Sequence, residues 1–198
     1  MNLRRPTLML VLAMAVLPTR AGELGLLYTK QYGKAQVVAS AAKYDAVNTA
    51  TVGIRGSWSV VDMKVAELSL SGTYQPKAEQ DFNYYDGGAK RGKYGVGYAA
   101  IGAQVDWKLL LNLNVGVEMR REMLSWDLGA AGKADTTQTR AWVRAGIGFS
   151  IPLPVVSPFI RLEVAAPLSK EDRTSSPDSI QKAMAPQSQI GLYAGIRF

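Results

Sequence analysis

The sequence predicts an all-β fold: an eight-stranded antiparallel up-and-down β-barrel that crosses a membrane. Three observations predict it. Apolar and polar residues alternate in runs of about 9–11, the length a tilted strand needs to cross hydrocarbon. The connections alternate in length: 61–64, 107–110 and 152–157 are short, whereas 33–49, 76–93, 122–138 and 168–187 are long and polar. Aromatic residues gather near the short-turn ends of the strands.

Strand side chains alternate faces, so each run sorts into two sets. Leu24, Leu26 and Tyr28 place a first strand near 23–32, with 35–44 as an alternative or an extension. Val52, Ile54, Gly56, Trp58 and Val60 oppose Gly53, Arg55, Ser57 and Ser59. After a turn at 61–64, Ala66, Leu68, Leu70, Gly72 and Tyr74 oppose Glu67, Ser69, Ser71 and Thr73. A glycine- and alanine-rich strand near 94–107 carries Ile101, Ala103, Val105 and Trp107 on its apolar face. The clearest strand follows, with Leu109 to Met119 set against Asn112, Asn114, Glu118 and Arg120.

In the next strand Ala141, Val143, Ala145, Ile147, Phe149 and Ile151 oppose Arg140, Trp142, Arg144 and Ser150. Pro152 and Pro154 cannot continue a ladder and mark a turn. Ile160, Leu162 and Val164 oppose Arg161 and Glu163, and residues 188–198 form the last strand, with Ile190, Leu192, Ala194, Ile196 and Phe198 on one face. Lipocalin-type barrels and soluble sandwiches bury the apolar set instead. Trp58, Trp107, Phe149 and Phe198 lie at one height and read as a membrane-interface girdle. This girdle and an arginine-rich polar face point the apolar set outward.

Residues 1–21 have the order of a secretory signal: Arg4 and Arg5, an apolar stretch from Leu8 to Leu17, then Thr19-Arg20-Ala21 as a small-x-small cleavage site. The stretch is about half the roughly 20 residues of a transmembrane helix. Residues 22–198 then form the barrel domain. Losing the three arginines of the leader lowers the formal charge from +7 to about +4. An exported chain without a basic, aromatic-interleaved run is a poor nucleic-acid partner.

The chain contains neither Cys nor His. Histidine is the side chain whose ordinary pKa suits proton shuttling near neutrality, so common hydrolase triads are excluded. Thiolate and imidazole metal sites are excluded with them. No cofactor is expected, and no catalytic constellation stands out.

The signal segment, the alternating strands, the alternating connections and the final Phe198 together resemble the small OmpA/OmpX-like outer-membrane barrel group. The resemblance implies an envelope protein in outer-membrane lipid and lipopolysaccharide, with short periplasmic turns and long extracellular loops. It also implies that periplasmic chaperones and the barrel-assembly complex fold the chain, reading Tyr193, Ile196 and Phe198 as an assembly signal. A monomer is favoured.

On this orientation the enclosed charges are Arg55, Glu67, Asp106, Glu118, Arg120, Arg140, Arg144, Arg161, Glu163 and Arg197. All the cations are Arg, whose planar fork pairs carboxylates and stays charged when poorly hydrated. Neighbouring strands are expected to put Glu118 near Arg140 or Arg144, and Arg55 near Glu67. An eight-stranded barrel is only wide enough for its own side chains, so the expected lumen is filled. The alternative is a narrow channel or a lateral path for small apolar solutes. In the 76–93 connection, Phe82, Tyr84 and Tyr85 beside Lys90, Arg91 and Lys93 are candidate loop contacts for phosphate and sugar. Asp86-Gly87-Gly88 is a turn signal. The composition of 168–187 predicts a mobile loop. A structural or surface-interaction role through the outer loops is the expected function.

Overall fold

A computed structural model describes residues 22–38, 42–63, 65–108, 111–129, 132–169, 181–182 and 184–198. The signal segment at 1–21 lies outside the described residues, as do 170–180 of the 168–187 connection. The described chain forms strands β1 Gly22–Tyr32, β2 Gln36–Val38, β3 Ala42–Tyr44, β4 Asn48–Asp62 and β5 Ala66–Asp86. Strands β6 Ala89–Lys108, β7 Asn112–Asp127, β8 Lys133–Ser150, β9 Ser157–Pro167 and β10 Ser188–Arg197 complete it.

Eight of these close a ring, each antiparallel to its neighbours: β1, β4, β5, β6, β7, β8, β9, β10 and back to β1. The Gly22 N–H donates to the Phe198 carbonyl at 2.9 Å, and the Phe198 N–H donates back to Gly22 O at 3.0 Å. A sealed seam leaves no edge of unpaired backbone groups, which hydrocarbon would not tolerate. Gly25 faces Gly195 across this seam. A Cβ on either would collide with the opposite backbone, so the close approach needs both glycines.

The eight predicted strands are all present, but their lengths differ from expectation. Residues 76–93 and 122–138 are not long irregular loops. β5 and β6 stay paired up to Tyr85 and Ala89, and β7 and β8 up to Asp127 and Lys133. The chain reverses at Asp86-Gly87-Gly88, where Gly87 takes φ 65°, the left-handed region that favours glycine. In the first outer connection β2 and β3 pair with each other, and β3 sits on β5 through Tyr44↔Tyr84. The β5–β8 wall therefore stands much taller than the β9–β10–β1 wall.

The faces invert with height, which explains the architecture. In the lower part the outward residues are apolar: Leu26, Leu70, Ile101, Val117, Leu162 and Val164 are all exposed. The inward residues there, Ser69, Ser71, Gln104, Asp106, Asn114 and Glu118, are polar and buried. In the upper part of β5–β8 the outward residues are Lys77, Glu79, Lys93, Asp127 and Lys133. The inward ones, Phe82, Tyr84, Tyr94, Val96, Leu124 and Trp126, form one buried apolar cluster with Tyr44, Val47 and Met184. Apolar surface leaves water wherever water is the surroundings. The lower band, apolar on the outside, suits lipid, and the upper part suits solvent. In β5 the switch is a bulge between Gln75 and Ala78. One extra residue there turns every later side chain to the other face.

Candidate functional site

The ring interior brings together most of the charged residues singled out by the sequence. Near the short-turn end, Arg161 Nη2 lies 3.2 Å from Glu23 Oε1 and 3.1 Å from Asp106 Oδ1, and Nη1 lies 3.8 Å from Glu163 Oε1. Arg197 also bonds Glu23, and Gln104 donates to Asp106 at 2.6 Å. At mid-height Arg55 Nη1 meets Glu163 Oε2 at 2.5 Å, with both side chains almost fully buried. Arg55 Nε donates to Thr73 Oγ1 at 2.9 Å. The Tyr193 hydroxyl donates to the Arg55 carbonyl at 3.1 Å.

Beside this pair, Glu118 holds Arg120 at 2.5 Å and Arg144 at 3.9 Å. The Arg144 guanidinium also bonds Ser71 and Gln104. The Arg120 guanidinium lies against two aromatic rings, 3.9 Å from the Trp142 ring centre and 4.3 Å from that of Tyr98. Ring faces attract cations electrostatically, more so when both are shielded from water. Glu67 accepts from Ser69 at 3.3 Å. At the top of the polar zone, Glu122 accepts from Arg140 Nε at 3.0 Å, from Trp142 Nε1 at 2.9 Å and from Gln138 at 2.6 Å.

The connection into β10 passes across the outer end of this interior. Arg140 donates to the Pro186 carbonyl at 2.6 Å, and Tyr94 OH to the Gln181 carbonyl at 2.8 Å. Gln181 in turn donates to the Ala134 carbonyl at 3.2 Å. Gln181, Met184, Ala185 and Pro186 are buried. Residues 184–186 and the apolar cluster thus lie between the polar zone and the outer mouth.

Several expectations need correction. Arg55 does not meet Glu67: it pairs with Glu163, three ring positions away, because the register sets Arg55 opposite Thr73 and Glu67 opposite Asp62. Of the two partners expected for Glu118, Arg144 is the one that meets it, whereas Arg140 takes Glu122. Phe82 and Tyr84 are not loop contacts. Both are buried in the apolar cluster, and the Tyr84 hydroxyl bonds the Leu128 carbonyl. Tyr85, Lys90, Arg91 and Lys93 are exposed on the β5–β6 hairpin. Sequence reading also missed Glu23, Glu122 and the interior rings Tyr98 and Trp142 as partners. Continuing the alternation by two residues past Arg120 would have found Glu122.

Of the four lower aromatics, Trp107, Phe149 and Phe198 are exposed and Trp58 is half-buried, with its side chain on the outer face opposite Leu70. Ile196 is exposed on the outside, whereas Tyr193 is fully buried inside against Phe159. On the outer hairpin β7–β8, Lys133 Nζ sits 2.7 Å from Asp127 Oδ2, and the Gly129 amide donates to Asp127 Oδ1 at 2.9 Å. The Lys133 hydrogen bond, with that of Gly129, holds the Asp127 carboxyl below the ordinary carboxylate value. The Lys133 ammonium is raised in turn by its hydrogen bond to Asp127.

No protein-family model and no curated protein matches the chain. Solved structures do. Ail, the attachment invasion locus protein of Yersinia pestis, solved in complex with the heparin analogue sucrose octasulfate, gives a TM-score of 0.53 at 13% identity. The match covers 90% of this chain and 99% of that one. Neisserial surface protein A gives 0.50 at 13% identity, over 89% of this chain and 94% of that one. Identity this low speaks for architecture alone. The chain has the closed eight-stranded antiparallel fold of the small outer-membrane β-barrels.

Proposed function

We propose that this chain is an integral outer-membrane protein, exported by a leader at residues 1–21, whose interior is closed to solutes and whose role is surface contact. The observation that carries the closed interior is the set of ion pairs bridging strands that are not neighbours in the ring. Arg55–Glu163 joins β4 to β9, and Arg161–Asp106 joins β9 to β6. Side chains that reach across the interior fill it, as the width of an eight-stranded barrel leads one to expect. Buried Gln181, Met184 and Ala185 close the outer end. Expected in planar bilayers is a silent membrane at protein densities that reveal known porins. Discrete, reproducible openings would replace this reading with a narrow channel.

The contact surface in this reading is the β5–β6 hairpin, where Arg91 and Lys93 are exposed on the same face as Tyr85 and Lys90 is exposed on the other face, its ammonium 6.0 Å from the Tyr84 ring centre. Exposed cations at an outer rim suit anionic saccharides, whether sulfated or phosphorylated. Heparin is a practical probe: cells displaying the protein should bind it in a salt-sensitive way. Reversing the three charges together should abolish that binding while the barrel still assembles. Equal binding by the reversed variant refutes the assignment.

A further inference from the structure

An apolar groove of about 840 Å³ runs over the outside of the barrel. It starts at Trp58, near the short-turn end of β4, and ends at Leu168, just past the outer end of β9. The floor is made by small residues. Gly72, Ala103 and Ala141 lie between the larger Leu70, Ile101 and Met119. Because neighbouring strands run antiparallel and tilted, this row climbs diagonally through the apolar band toward the outer leaflet.

Next to the outer part of the groove stands Arg121, exposed on the lipid-facing side two residues beyond Met119. The register sets it between Ala99 on β6 and Thr139 on β8. The diagonal neighbours on the same face are Gly97, Ile101, Thr137 and Ala141, and none is acidic. Every other arginine of the lower strands, Arg55, Arg120, Arg140, Arg144, Arg161 and Arg197, faces an enclosed carboxylate or a buried polar partner. An outward arginine on a β-barrel costs up to about 2–4 kcal/mol at the midplane and near zero at the interface. The Arg121 charge is therefore tolerated only at headgroup level, where its natural counter-ion is a phosphate bonded by the guanidinium fork.

We propose that this groove and Arg121 form a binding site for lipid A in the outer leaflet, one acyl chain lying in the groove and a phosphate meeting Arg121. The hydroxyls of Thr139 and Thr137 flank the cation on the same face and suit a sugar headgroup. The assignment rests on the membrane reading above, so the test begins with that. Protein extracted from the outer membrane is first checked for a compact, fast-migrating band on SDS gels before boiling. Loss of that band in the wild type would sink the membrane reading itself.

Purified lipid A or phosphatidylglycerol is then added to the detergent-solubilised protein, and bound molecules are counted by native mass spectrometry. Arg121→Gln removes the phosphate partner. Gly72→Leu fills the groove at a position where an added Cβ meets nothing within 4 Å, so the barrel is expected to assemble. Each variant should retain lipid A about tenfold less well, with Leu192→Phe on the opposite wall unchanged. If all the folded proteins retain lipid A equally, or if phosphatidylglycerol is retained as well as lipid A, the assignment is wrong and the membrane reading stands.

Discussion

Replacing Glu163 by Gln tests how dry the barrel interior is. Arg55 Nη1 sits 2.5 Å from Glu163 Oε2, and neither side chain exceeds 3% exposure. After Glu163→Gln the Arg55 charge keeps Thr73 and the Tyr193 ring, 5.2 Å away, but loses its nearest anion. Removing one member of a buried pair costs roughly 3–5 kcal/mol, since the remaining charge is left uncompensated. A water-exposed pair contributes only about 0–1 kcal/mol. The two regimes are far enough apart for one measurement to separate them. Denaturant titration of the folded barrel in lipid vesicles, followed by tryptophan fluorescence, supplies it.

The double replacement Arg55→Met with Glu163→Leu sharpens the test. Substituting both members of a buried pair by apolar side chains of similar size is often near neutral. The double variant should therefore be more stable than Glu163→Gln alone, despite carrying two changes. A loss below about 1 kcal/mol for Glu163→Gln, as for an exposed pair, would mean that solvent reaches mid-height. The closed interior would then have to be abandoned.

Other outcomes follow from local geometry. Gly195→Val drives a side chain into the Leu24 carbonyl and Gly25 at the seam, so the compact SDS-resistant band should vanish; its persistence would show that the seam has slack. Tyr94→Phe removes the bond to the Gln181 carbonyl, worth about 1 kcal/mol. Amide exchange at 184–187 should accelerate while β6 stays protected, and unchanged exchange would mean the cap is held elsewhere. Asp127 is held below the ordinary carboxylate value, so its contribution to the β7–β8 hairpin is complete above that value and fades as pH falls through the lowered one. Lys133, raised, loses its part only as pH climbs beyond the ordinary lysine range. The protection factor of the Gly129 amide, its exchange rate corrected for intrinsic pH dependence, should thus be flat across neutral pH and fall only in strong acid, and Asp127→Asn should remove the acid step.

The ring was legible in the sequence because a period of two residues is hard to mistake where one face meets lipid and the other is enclosed. Ile160, Leu162 and Val164 against Arg161 and Glu163 are an example. What failed was the outer half, for two physical reasons. Arg121 interrupts the apolar face of β7, so the apolar alternation stops before Glu122 although the ladder runs on to Asp127. In β5 the bulge after Gln75 shifts the parity, and Phe82 and Tyr84 look like rim residues unless that one extra residue is known. Ion-pair partners failed for a third reason. Adjacency along the ring follows from chain order, but contact across the interior depends on strand tilt and register, which alternation does not encode.

The division of cations between the faces carries a last prediction. Enclosed positions hold Arg, and Lys30, Lys77, Lys93 and Lys133 point outward. Arg161 shows why the two are not exchangeable: its guanidinium serves Glu23, Asp106 and Glu163 from two nitrogens while lying 5.5 Å from the centre of the Phe159 ring. A lysine brings the same charge on a compact, strongly hydrated ammonium that cannot span three carboxylates or stack flat. Arg161→Lys therefore keeps the net charge but leaves Asp106 or Glu163 without its cation, against burial that disfavours charge. A loss of about 2–3 kcal/mol is expected from forfeited charge-assisted bonds, read by the same denaturant titration. Stability within about 0.5 kcal/mol of the parent, the scatter of ordinary surface substitutions, would show that net charge alone suffices. The geometric account of the interior would then lose its basis.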